Sequence, residues 1–370
     1  MNRLPQRLSL PAQTAAILKE EIQAGRWCKW MPGEHDLCQQ LHVGRVTLRA
    51  ALAQLQSDGW VRSSQGRRRQ IIARHGRLTP AASTRVVLLT PAPMQLLRPF
   101  TLLWTNELRE HLAEAGYELE THGSHAFYGQ GWATNLDVLI RQLRPVGFVL
   151  TATTQKMQRW FADRGLPCVI AGSRHPGIEL PSVDGAYRAV CRHAVGQFLA
   201  RGHVRLAFLN PDSGAAGELE SEAGFNEALA QTGHADVQAS IVRHDETVAH
   251  IRRKVDALLR QEHPPTAFLV SRAANVLPVM GHLMSRGLRL PQDVALISRD
   301  YEPYLERVVP SVARYVINPS VMANRVASAV FQVMQGRMPT PADCHIMPEF
   351  TEGETLGPGT VRTPVSPTLV

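Results

Sequence analysis

From residue 85 onward, short apolar runs alternate with helix-length amphipathic stretches, and this alternation restricts the possible folds more than any other feature of the chain. The strand candidates are RVVLLT (85–90), YELETH (117–122), GFVLT (147–151), PCVIAG (167–172), RLAFLN (205–210), VQASIV (237–242), TAFLV (266–270), VALIS (294–298) and SVARYV (311–316). Helix-length segments separate most of them, near 100–115, 132–143, 154–165, 185–202, 218–232, 246–262, 274–287 and 319–336. Such alternation predicts an α/β fold in which helices cover both faces of parallel sheets. There are too many strands for one comfortable sheet, so two lobes are expected across 85–350. No internal sequence repeat is visible. Residues 351–370 are rich in Pro, Gly and Thr and read as a disordered tail.

The first 72 residues follow a different plan. Residues 11–25 place Ala15, Leu18 and Ile22 on one helical face, opened by Pro11 and closed by Gly25. A second helix fits 33–42 with Leu37 and Leu41, and a third fits 45–58 with Leu48, Leu52 and Leu55, stopped by Gly59. WVRSSQGRRRQII (60–72) reads as two short strands about a Ser-Gln-Gly turn. Three helices and a hairpin make a winged helix-turn-helix over 1–72, and 73–84 has linker composition. Residues 1–77 hold 13 Lys and Arg against 5 Asp and Glu, whereas the rest of the chain holds 27 of each sign. All the excess charge therefore sits in the head, and a polyanion is its natural partner, nucleic acid ahead of a membrane surface.

MPGEHDLCQQLHVGRVTLRAALAQLQSDGW (31–60) and the wing after it resemble the GntR family of winged-helix regulators. The family pattern runs P-S/G-E-x-x-L-x-x-x-L-x-V-S-R-x-T-V/L-R-x-A-L-x-x-L-x-x-x-G, followed by Q-G-R/K-G, and this chain matches it from Pro32 to Gly59 and again at Gln65, Gly66 and Arg67. The resemblance implies binding to double-stranded DNA. Arg45 and Arg49, four apart at the start of the third helix, project together, with Thr47 on the other flank. A recognition helix enters the major groove by its N-terminus, and Arg reads guanine or holds phosphates. Glu34 opens the preceding helix, where a carboxylate suits the helix dipole. Gly66, Arg67 and Arg68, with Arg69 beyond them, form a basic wing tip. Two positions depart from the family: Gly44 replaces the usual Ser, and Arg68 the second wing glycine.

Residues 85–350 resemble the sensor domain of LacI-family repressors, itself similar to periplasmic sugar-binding proteins. The anchors are RPFTLLWTNELREHLAEAGYELE (98–120), VIAGSR (169–174), SVDGAYRAVCRHAVGQFLARGHVRLAFL (182–209), EAGFNEALAQTG (222–233) and RGLRLPQDVALISRD (286–300), the last similar to G-L-x-V-P-x-D-V-x-V-I-G-F-D. The resemblance implies an effector-binding and dimerising unit, a periplasmic-binding-protein-like pair of lobes with the ligand in the cleft at the strands' carboxyl ends. It places Phe100 against the ligand, with Arg174 as a donor and Asp184 and Asp300 as acceptors. Asp184 reads alternatively as an N-cap of the helix at 185–202. Ser221 and Arg272 stand where the family usually has Arg and one residue of an Asn-Asp pair. These groups suit a hydroxylated ligand such as a sugar or a sugar phosphate, and more anionic if Arg174 and Arg272 face one cleft. The alternative is a DNA-binding dimer whose degenerate sensor answers to no small molecule.

Together these readings predict a cytoplasmic, homodimeric transcription regulator, a repressor, and not an enzyme. Beyond the head only Lys156 and Lys254 could form a Schiff base, and both fall in helical segments, which argues against a pyridoxal-phosphate domain. No H-E-x-x-H, P-loop or G-x-S-x-G pattern is present, and no metal site or cofactor is expected. The five cysteines are scattered and read as reduced thiols. The N-terminus lacks the apolar core of a signal peptide, and no run approaches the ~18 apolar residues of a membrane span.

Overall fold

A computed structural model describes residues 9–23, 27, 30–62, 69–71, 83–232 and 236–357. The head comprises α1 (Leu10–Gln23), α2 (Glu34–Leu41), α3 (Arg45–Ser57) and the antiparallel pair β1 (Val61–Arg62) and β2 (Gln70–Ile71). Leu18, Leu37, Leu48, Leu52, Leu55 and Val61 close one small core among them. Trp30 bridges Gln70, and Met31 N–H donates to the Arg69 carbonyl at 2.9 Å, so the chain entering α2 lies along the wing. The expected wing residues Gly66, Arg67 and Arg68, and linker residues 73–82, lie outside the described residues.

The first lobe opens with β3 (Arg85–Thr90), α4 (Pro99–Glu114), β4 (Glu118–Gly123), α5 (Trp132–Leu143), β5 (Gly147–Leu150), α6 (Gln155–Asp163), β6 (Cys168–Ala171) and β7 (Ser182–Gly185). The chain then crosses to the second lobe, built from α7 (Tyr187–Leu199), β8 (Arg205–Pro211), α8 (Ala216–Gln231), β9 (Gln238–His244), α9 (Val248–Leu259), β10 (Ala267–Val270), α10 (Ala273–Ser285), β11 (Ala295–Ser298) and β12 (Ala313–Val316). It returns for α11 (Pro319–Met334) and β13 (Asp343–Ile346), and crosses a third time into β14 (Glu349–Thr351). The sheets run β4-β3-β5-β6-β7-β13 and β9-β8-β10-β11-β12-β14. The two lobes thus repeat one topology without repeating sequence. They differ at the sixth strand, where β13 is parallel to β7 but β14 is antiparallel to β12.

Central strands are buried on both faces, as parallel strands covered by helices must be. Val86 and Leu88 pack with α4 and α11, while Val87 and Leu89 face α5 and α6. In the second lobe Leu209 and Phe268 face α9 and α10, and Phe208 and Leu269 face α7 and α8. Local chemistry sets several helix starts. Thr154 and Thr247 side chains cap α6 and α9, and Asn318 caps α11 with Pro319 in the first turn.

The packed chain continues past the expected boundary at 350. Thr351 ends β14, the Thr355 carbonyl accepts from Leu296 N–H at 2.9 Å, and Leu356 is buried. The Thr355 hydroxyl also binds Leu296 and Ala313, so 351–357 belong to the second sheet's edge rather than to a tail. Residues 358–370 lie outside the described residues.

Candidate functional site

Two constellations carry chemistry, one on the head and one between the lobes. On the head, α3 buries Leu48, Ala51, Leu52 and Leu55 and turns its first residues outward. Arg45 and Val46 are exposed, Thr47 is half-buried, and the Arg49 side chain is 66% exposed. Gly44 precedes them in extended backbone, provides no side-chain cap, and has open space where a Cβ would stand.

Glu34 organises this surface. Arg49 Nε donates to its Oε2 at 2.9 Å, and Arg69 reaches Oε1 at 2.9 Å. One carboxylate at the start of α2 therefore holds an arginine of α3 and an arginine of the wing, and these bonds keep its pKa below the ordinary glutamate value. The sequence reading gave Glu34 a dipole role at the start of α2; in the structure its carboxylate also pairs with two arginines. Arg45 has no partner among the described residues.

Between the lobes, Asp300 follows β11 and is nearly buried. Arg299 beside it is buried as well, with 4% of its side chain exposed. Arg299 donates to Asp300 through Nε (2.9 Å) and a terminal nitrogen (3.0 Å), to Ser221 Oγ at 2.7 Å, and stacks 4.3 Å over the Tyr187 ring. Arg98, at the cap of α4 in the first lobe, lies 3.9 Å from both Asp300 and Glu302, and Phe100 N–H donates to Glu302 at 3.1 Å. Asp184 sits inside β7, where it accepts from Ser173 Oγ at 2.6 Å and Gly185 N–H at 2.8 Å. It is not a helix cap, since α7 begins only at Tyr187.

The electrostatics follow from burial set against pairing. Burial would raise Asp300, but Arg299 and Arg98 hold it below the usual carboxylate value. Asp184 and Glu302 are instead pushed up by burial, which their hydrogen bonds only partly oppose. Burial works against the Arg299 charge, yet Asp300 outweighs it and the guanidinium stays firmly protonated.

Asp184, Ser221 and Asp300 thus lie around Arg299, and Arg272 joins them by donating its backbone N–H to Asp300 at 3.1 Å. The other two depart from expectation. The Phe100 ring, half-buried, packs on the first lobe's core, and its backbone N–H is the group bonded to the cluster. Arg174 pairs with Asp343 at 3.2 Å, while the Arg272 guanidinium is held by Glu218 (2.9 Å) and Glu246 (2.6 Å). Each arginine is thus neutralised by carboxylates of its own, which weakens the argument for a more anionic ligand there. Arg299, Arg98 and Tyr187 were not singled out from sequence. Arg299 had left a trace, because it stands where the family pattern I-G-F-D has an aromatic residue.

Residues 10–71 match the family model described as bacterial regulatory proteins, gntR family, and residues 195–356 match the periplasmic binding protein-like domain. The chain joins a GntR head to a periplasmic-binding-protein-like sensor. Among curated relatives of this GntR-headed chain, catabolite control protein A of Priestia megaterium is 27% identical over 184 residues, 49% of this chain and 54% of the relative. The HTH-type transcriptional regulator AscG of Escherichia coli K12 is 26% identical over 144 residues, 39% of this chain and 43% of the relative. The chain therefore spans about half the length of the curated relatives it matches. Solved structures share the sensor fold. A putative LacI regulator from Bacillus cereus superposes with a TM-score of 0.66 at 18% identity, over 75% of this chain and 99% of that one. The CelR–cellobiose complex gives 0.65 at 17%, over 88% and 100%. Among the described residues no helix is long and apolar enough to cross a membrane.

Proposed function

We propose that this protein is a DNA-binding transcription regulator, a repressor without enzymatic activity, whose operator affinity is set by a small hydroxylated effector between the sensor lobes. The observation that carries the DNA half is the outward N-terminus of α3, where Arg45 and the Glu34-aimed Arg49 stand on a head with its own core. Base edges are read from such a helix start, and Arg69 on the wing would meet the adjoining backbone. Arg45→Ala and Arg49→Ala should each cost about 1–3 kcal/mol on specific operator DNA if they read bases. Parent-like affinity for both variants in a titration at fixed salt rejects this assignment.

The effector half rests on the interlobe cluster and on the likeness to a regulator solved with cellobiose. Arg98, Asp184, Tyr187, Arg299 and Asp300 offer alternating donors and acceptors, which suits a polyol. A ligand acts on DNA by favouring one lobe arrangement, and binding and operator affinity are then coupled reciprocally by about 1–3 kcal/mol. Asp300→Asn should keep operator binding and lose the response to any sugar found by a thermal-shift screen. A variant that responds like the parent takes Asp300 out of the site.

One observation favours a second reading. Arg299 is already neutralised by Asp300, and Arg98 of the first lobe approaches Asp300 at 3.9 Å, so the cluster holds together without a ligand. A screen of sugars and sugar phosphates with no stabilising hit, together with effector-independent operator binding, decides for that reading. We further infer a cytoplasmic homodimer, because winged-helix heads of this kind read paired half-sites. A monomer by sedimentation at micromolar concentration, with and without DNA, counts against it.

A further inference from the structure

A cavity of about 570 Å³ opens beyond the carboxyl ends of β8 and β9, outside the cluster just described. That volume suits a small metabolite. Asp212, Arg243, His244, Asp245, His250 and Lys254 line it together with Ile241. Part of this chemistry is already committed. Asp245 is consumed by its own turn, accepting from Thr247 N–H (2.9 Å) and Oγ1 (2.7 Å) and pairing with His250 at 3.2 Å. Arg243 binds Glu222 through Nε (2.9 Å) and one terminal nitrogen (2.6 Å), which leaves its other N–H groups available. Lys254 has no side-chain partner among the described residues, and the Asp212 carboxylate meets Arg243 only through space, without a hydrogen bond.

His244 is the most informative member. Its ring is buried, and burial first, then His250 and Arg272, lower its pKa to about 4 against the opposing pull of Asp245 and Glu218, so it is neutral at physiological pH. Glu246 N–H donates to Nδ1 at 3.1 Å, which makes Nδ1 the acceptor and puts the ring proton on Nε2. That Nε2–H is buried and has no partner among the described residues. A buried donor without an acceptor is costly, so this ring adds no positive charge to the cavity and leaves a polar atom behind its wall. The groups with hydrogen-bonding capacity to spare are thus two donors, on Lys254 and Arg243, and one acceptor, Asp212, while the neutral His244 ring closes the wall. They match a ligand with an anionic oxygen cluster and at least one hydroxyl.

The wall of this cavity is wired to the cleft. Glu246, held at φ 65° in the turn after β9, accepts from the Arg272 guanidinium at 2.6 Å. Arg272, itself at φ 58°, donates its backbone N–H to Asp300. Two non-glycine residues in left-handed backbone at linked positions mark a strained bridge from pocket to cleft. We propose that the pocket is a second small-molecule site, taking a hydroxylated organic anion such as a sugar phosphate or sugar acid, and that its occupancy reaches the interlobe cluster through Glu246 and Arg272. The coupling half rests on the regulatory reading above; the binding half does not.

The test is calorimetric titration of the full chain, free of DNA, with D-ribose 5-phosphate, D-gluconate and uncharged D-ribose. At least one anion should bind the parent, with ribose tenfold or more weaker. Lys254→Met should weaken the anion at least tenfold while melting like the parent, and Lys254→Arg should restore most of the loss. No binding of either anion, ribose binding as tightly, or an unchanged Lys254→Met overturns the site. Operator titration with saturating anion tests the coupling. The parent's affinity should shift, and Glu246→Gln should bind the anion within twofold of the parent yet lose the shift. An unmoved parent, or a Glu246→Gln that still responds, overturns the route while leaving the site standing.

Discussion

At the scale of single residues, the two sites share one device: a carboxylate that fixes arginines. Glu34 holds Arg49 and Arg69 on the head, and Asp300 holds Arg299 between the lobes. The expected consequences differ because one pair is exposed and the other buried. Glu34→Gln leaves both arginines charged but unaimed, so specific binding should suffer while non-specific binding persists or improves. The ratio of operator to scrambled-duplex affinity should fall roughly tenfold, about 1.4 kcal/mol, at fixed salt; an unchanged ratio shows that the arginines need no brace. Arg299→Met leaves Asp300 buried with only the Arg272 N–H and the more distant Arg98, and should destabilise the sensor by about 3–5 kcal/mol. Replacing both partners, Arg299→Met with Asp300→Leu, should recover most of that loss in thermal melting. A double variant as unstable as the single one indicates that packing, not charge, holds the site.

At the scale of elements, α7 and α8 touch through Gly224, part of the Gly-Phe segment noted in the sequence. A methyl group there would collide with the Arg188 carbonyl of α7, which leaves no room for any side chain. Gly224→Ala should therefore lower the sensor's melting temperature sharply, by the backbone displacement typical of overpacking, about 1–3 kcal/mol or more. Gly196→Ala on the same α7, where a Cβ meets nothing, serves as the neutral control. The nine strands read from sequence were legible because each is a wholly apolar or alternating run. β7, β13 and β14 escaped because SVDG, DCHI and EFT are short and carry charge, and the last two are sheet edges with one neighbour each. Within the candidate cleft, Asp184, Ser221 and Asp300 were legible as departures from or matches to a known pattern. Arg299 was not, because a buried arginine is expected only once its partners' positions are known. The stray direction of Arg174 is likewise set by Asp343 on β13, a strand the sequence did not reveal.

At the scale of the whole molecule, acid should weaken the fold through its buried histidines, an effect that the raised Asp184 and Glu302 oppose in part. His175, His193, His203 and His244 all have lowered pKa values, with burial as the first cause, and His244 falls to about 4. A histidine held neutral by the fold takes up its proton more readily when unfolded. Its contribution is complete above the unfolded value near 6.5 and is lost as pH falls toward the folded value. The melting temperature should therefore drop between pH 7 and pH 5, and less steeply in His244→Gln. A profile flat over that range excludes the effect. The lowered acids Glu34, Glu222 and Asp256 add their losses only below the ordinary carboxylate range.

The three crossings between lobes also order events during synthesis. The head is one contiguous stretch whose core is complete once Ile71 has been made. Neither lobe shares that property. The first needs Met322, Val326 and Ile346 to finish its core, and the second needs Leu356. At typical elongation rates of about 5–20 residues per second, roughly tens of seconds separate the emergence of the head from that of a finished sensor. A nascent chain stalled midway would carry a folded head attached to two lobes that cannot yet close either core.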